Sequence, residues 1–80
     1  MNKELICLID MFTSTAEVIY PDQMKEDIPL IGAIEYLYQT TQDYNINTIH
    51  LFGNKKYLEG LIEQYPPVEY GCGKVEIKVN

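Results

Sequence analysis

A nearly continuous apolar run, Leu5-Ile6-Cys7-Leu8-Ile9 within residues 4–12, most constrains what this chain can become. Runs of this length and β-branched content read as a central strand buried on both faces. A central strand needs partners, and the sequence supplies them in alternation with helical patterns. Val18-Ile19-Tyr20 favours a second strand, with Thr13 to Ala16 as the hairpin loop and Pro21 ending it. Ser14 with Glu17 offers a competing capping box for a short helix. Pro21 to Asp27 reads as a polar connection, and Asp27 followed by Pro29 as a helix start.

Leu30, Ile31, Ile34, Leu37, Tyr38 and Thr41 recur at helical spacing, predicting an amphipathic helix from about Ile28 to Asp43. Asn45 and Asn47 mark a turn. Thr48 to Phe52 is a short strand closed by Gly53-Asn54, with Asn54 as N-cap of a helix over Lys55 to Tyr65. Ile34 and Leu61 lie at the centres of the two helical stripes. Pro66-Pro67 stops the second helix, and Val75, Ile77 and Val79 alternate with charged residues in a half-exposed strand. Val68 to Tyr70 is a candidate hairpin partner for that strand across Gly71-Cys72-Gly73.

The expected fold is therefore one α/β domain over residues 1–80, in the order strand, strand, helix, strand, helix, strand. Alternation of this kind predicts right-handed crossovers and a small, mixed, mainly parallel four-stranded sheet. An 80-residue chain buries little of its own surface. An uncovered sheet face or edge then predicts a homo-oligomer, most simply a dimer. Seven tyrosines suit such surfaces. Tyr36 and Tyr44 fall off the apolar stripe of the first helix and are the candidate interface residues.

Charge removes several functions. Twelve acids against six basic residues give a net charge of −6, and every one of the six is lysine. A chain without arginine, with its acids scattered, does not suit a nucleic-acid-binding face. No segment approaches the roughly 18 consecutive apolar residues of a membrane span. The N-terminal residues lack a signal-peptide pattern, so residence in the cytoplasm is expected. Cys7 reads as a buried small hydrophobe, and Cys72 as an exposed thiol in a glycine turn. These two cysteines and the single His50 make neither a disulfide framework nor a zinc site. No catalytic residue, metal ligand or cofactor is assigned.

Chemistry is expected where the C-terminal ends of the first and third predicted strands meet, since open α/β sheets bind ligands at that edge. Asp10 and Thr13-Ser14-Thr15 follow one strand; Gly53-Asn54-Lys55-Lys56 follow the other. A helix N-terminus flanked by two ammonium groups attracts anions. The hydroxyls would complete a phosphate cradle, with Asp10 beside it to hold a hydrated Mg²⁺.

Leu8-Ile9-Asp10-Met11-Phe12-Thr13-Ser14-Thr15 and the extended segment after it resemble the first hairpin of the RNase H-like superfamily, which includes actin, the heat-shock chaperones and the sugar kinases. Thr48-Ile49-His50-Leu51-Phe52-Gly53-Asn54 and its following helix are similar to that group's later strand-Gly-Gly-helix segment. The resemblance implies an abbreviated half-domain, with an aspartate ending the first strand and a hydroxyl-rich turn at phosphate. It departs in lacking the first-loop glycine, in having Gly-Asn for Gly-Gly, and in leaving no room for a third strand or second lobe.

The sequence thus points to a small, acidic, non-enzymatic, oligomeric binding protein for a phosphorylated or nucleotide-like ligand. A second reading is a protein-interaction module or inhibitor docking through its tyrosine-bearing helix face. A third is a small hydrolase.

Overall fold

The computed structural model describes residues 3–80. Within them the order is β1 (Glu4–Asp10), β2 (Thr15–Ile19), β3 (Lys25–Pro29), α1 (Ala33–Tyr44), β4 (Thr48–Phe52), α2 (Lys55–Gln64) and β5 (Glu76–Val79). A 3₁₀ turn at Pro67–Tyr70 lies between α2 and β5. The strands make one five-stranded sheet in the order β3-β2-β1-β4-β5. β1–β2 and β2–β3 are antiparallel, whereas β1–β4 and β4–β5 are parallel.

The expected four-stranded, mainly parallel sheet is thereby corrected. The added strand, β3, occupies the segment read as a polar connection and a helix start. Its sequence, Lys25-Glu26-Asp27-Ile28-Pro29, has poor strand propensity and buries only Ile28. Those traits belong to an edge, where charges and a proline blunt further pairing. A turn with Gln23 at φ 75° and a Tyr20 N–H bond to the Met24 carbonyl (2.9 Å) folds β3 back on β2.

With Pro29 in a strand, α1 begins later than expected, at Ala33 behind Gly32. Gly32 has φ 79°, a left-handed conformation that glycine adopts without strain. Leu30 and Ile31 therefore fall outside the helix, and Ile31 is almost fully exposed. The remaining stripe stands as read: Ile34, Leu37, Tyr38 and Thr41 are buried. The Val68–Tyr70 hairpin is replaced by the 3₁₀ turn, and β5 pairs with β4 instead. Asn54 caps α2, its Oδ1 accepting the Tyr57 N–H at 2.9 Å.

Alternation along the strands separates two faces. Leu5 and Cys7, Ala16 and Val18, Ile28, and Ile49 and Leu51 project to the face covered by α1 and α2, forming one core with Leu37, Tyr38 and Leu58. The opposite face is open. There Ile6 pairs with Ile19, Leu8 with Phe52, and His50 Nε2 lies 3.1 Å from the Glu4 carboxylate. β1 is thus central in the sheet but buried on one face only, with Leu8 exposed.

Cys72 is buried, not exposed: its thiol lies 3.3 Å from the Thr41 hydroxyl and 3.5 Å from the Tyr38 carbonyl. Both cysteines are free. No helix is long and apolar enough to cross a membrane among the described residues.

Candidate binding cleft

The sheet does bring the two expected loop groups to one edge. Leu8 is registered against Phe52 in parallel strands, so Asp10 and the Gly53-Asn54 corner follow on adjacent strand ends. A Cβ at Gly53 would sit 3.0 Å from the Ile9 Cβ, which measures how closely the corner packs on β1. Two of the side chains there, Asp10 and Asn54, serve the backbone. Asp10 Oδ1 accepts the Phe12 N–H at 2.9 Å and the Thr13 N–H at 3.4 Å, closing the loop as an Asx turn. The Thr13 and Thr15 hydroxyls bond each other at 2.6 Å. Ser14 takes a left-handed φ of 55°, and its carbonyl accepts the Leu30 N–H at 2.9 Å. Asn54 is occupied as the cap already described. Lys55 and Lys56 are exposed. Among the described residues no group of three His, Cys, Asp or Glu side chains converges to hold a metal ion.

A cleft of about 610 Å³ lies elsewhere, between α1 and the β2–β3 turn. That volume is in the range of small-ligand and peptide-anchor pockets. It is lined by Tyr20, Pro21, Met24, Glu26, Tyr36 and Tyr44, together with Lys3 and Asp22. Tyr36 and Tyr44, flagged for leaving the apolar stripe, both reach it. With Thr40 they form a second stripe at four-residue spacing, which puts them on one side of a helix. The Thr40 hydroxyl donates back to the Tyr36 carbonyl at 2.9 Å, leaving no polar demand on the cleft side.

The polar centre is Glu26 on β3. Pairing with Val18 turns it to the helix-covered side of the sheet. Tyr20 donates its hydroxyl to Glu26 Oε1 at 2.9 Å, and Tyr36 donates to the same oxygen. The two phenol oxygens lie 2.9 Å apart. The Tyr20 ring packs at a tilt on Tyr44, with centroids 5.7 Å apart. These bonds, the one from Tyr36 foremost, hold the Glu26 carboxyl below its usual range, so it stays ionised. Partial burial and the same partners push the Tyr20 phenol upward. The Tyr36 phenol is raised chiefly by its bond to Glu26.

Glu26 and Tyr20 were not singled out in the sequence. The missing signal was β3 itself, since a glutamate in a connecting loop gives no reason to face α1. The Tyr20-Pro21-Asp22-Gln23 turn was the available hint. No family model, curated protein or solved structure matches this chain.

Proposed function

We propose that this chain is a small, acidic, non-enzymatic interaction module that docks a partner protein through the tyrosine cleft. The observation that carries this reading is the convergence of Tyr20, Tyr36 and Tyr44 on one cleft around an ionised Glu26. Tyrosine gives large, amphipathic contact area with little side-chain entropy lost, the property that enriches it at binding surfaces. The anion-cradle reading at Asp10, Thr13 to Thr15 and Gly53 to Lys56 has weaker support, because most of the polar side chains there already satisfy their own loops. A hydrolase gains no observation in its favour. The test is a pair of variant sets titrated against partner proteins recovered from cells. Tyr36→Ala and Tyr44→Ala should each weaken association by tenfold or more. Lys55→Gln with Lys56→Gln should leave it unchanged, and the reverse pattern favours the cradle.

Self-association is proposed beside it, on a separate observation. The open sheet face presents Ile6, Ile19, Leu8 and Phe52, set among Glu17, Lys25 and His50, with Phe12 fully exposed beyond the end of β1. The RNase H-like resemblance is proposed at fold level only. A hairpin, an aspartate ending β1 and a following third strand support it, and that third strand removes one of the departures noted above. Two free, buried thiols are compatible with a reducing compartment such as the cytoplasm.

A further inference from the structure

We propose that the cleft takes an arginine side chain presented by an exposed segment of the partner protein, its guanidinium seated on Glu26 between the tyrosine rings. This rests on the cleft being the docking site and adds the chemistry of what enters it.

Glu26 Oε1 receives both phenol hydroxyls, so the carboxylate is held in one orientation with Oε2 left for a ligand. The three oxygens of Glu26, Tyr20 and Tyr36 are in mutual contact, yet the two phenols bring only two hydroxyl protons. Lone pairs are therefore in excess at the polar centre, and a donor that carries several N–H groups and a positive charge satisfies them. Asp22, which also lines the cleft, adds a second negative charge, and the whole molecule carries −6. Charge complementarity thus selects a basic occupant. The walls narrow it further. Tyr20, Tyr36 and Tyr44 line the cleft with aromatic surface suited to a planar cation, and Met24 and Pro21 add apolar surface. A guanidinium stacks on aromatic faces, is weakly hydrated and donates in a planar fork, whereas an ammonium is compact and strongly hydrated. The volume of about 610 Å³ exceeds what one side chain fills, so residues flanking the arginine enter as well. That favours a peptide segment over a free small cation. Among the described residues Lys3 is the one basic side chain lining the cleft.

The experiment uses the full chain with two peptides: one alternating arginine with glycine, the other identical but with citrulline at each arginine. Citrulline keeps the planar shape and most donors but lacks the charge. Binding is followed by amide and aromatic chemical shifts. The expected result is saturable binding of the arginine peptide with shifts at Tyr20, Glu26, Tyr36 and Tyr44, and citrulline at least tenfold weaker. Glu26→Gln should reduce arginine-peptide affinity about tenfold. Glu59→Gln makes the same change in net charge on exposed α2 and should leave affinity within about twofold. If both peptides bind the cleft equally, the charge inference is overturned while the cleft remains a docking site. If Glu59→Gln weakens binding as much as Glu26→Gln, the attraction is general acidity and the inference also falls. If neither peptide shifts the cleft residues, the arginine inference is overturned, while the docking reading is decided by the Tyr36→Ala and Tyr44→Ala variants.

Discussion

Gly53, a ligand-binding candidate by sequence, also holds a packing position in the structure. Its φ of 155°, and the 3.0 Å at which an added Cβ would meet the Ile9 Cβ, make it a packing position in the corner between β4 and α2. Gly53→Ala should lower stability by about 1–3 kcal/mol through backbone strain and displacement of Ile9. Urea unfolding reads this directly, and an unchanged midpoint would contradict the packing role. Tyr38 carries a second single-residue consequence. Its ring is buried and its hydroxyl donates to the Tyr65 carbonyl at 2.6 Å. Burial foremost pushes the phenol from 10.0 to about 12, and burial pushes the Cys7 thiol from 9.0 to about 11. Both groups favour the protonated form when folded, so their contribution is intact below the unfolded values and is lost as pH rises through the folded ones. The melting temperature should therefore fall progressively from about pH 9 to pH 12. Tyr38→Phe should make that fall shallower above pH 10, without abolishing it, because Tyr20, Tyr36 and Tyr70 are raised too. A steeper alkaline loss in Tyr38→Phe would contradict the assignment.

Among the elements, α2 separates periodicity from burial. Leu58 is completely buried, whereas Leu61, the centre of the stripe by spacing, is only partly covered. Leu58→Ala should cost about 2–5 kcal/mol, with Leu61→Ala below it in the same chemical-denaturation series. Equal losses would mean that α2 sits differently on the sheet. The two helices were legible because their apolar residues recur at helical spacing and Asn54 is a good cap. β1, β2 and β4 were legible from β-branched residues bounded by turn signals. β3 was not, and the reason is physical: an edge strand with one buried residue has almost no alternation to read. Its misreading propagated. It displaced the start of α1, reduced the strand count, and hid the partner that Tyr36 and Tyr44 face. The burial of Cys72 was missed for a similar reason, since tertiary contacts with Tyr38 and Thr41 decide it and the flanking glycines suggest the opposite.

For the whole molecule, the one-sided core decides how copies can meet. α1 and α2 cover one face, and the two edge strands carry charges that discourage edge-to-edge growth, Lys25, Glu26 and Asp27 on β3 and Glu76 and Lys78 on β5. Association is therefore expected face to face, over Ile6, Leu8, Ile19 and Phe52. Light scattering at tens of micromolar should give a dimer mass, and Leu8→Ser with Phe52→Ser should give a monomer that still folds. A parent that stays monomeric at that concentration would remove self-association from the account. The strand order carries one more consequence, for the rate at which the fold is reached. β1 pairs with β2 across a short turn but with β4 across most of the chain, Leu5 lying beside Ile49. The meander of the first three strands can close locally. The parallel half must wait for a long loop whose closure entropy falls on the folding barrier, so refolding should proceed far more slowly than in helical bundles of this length.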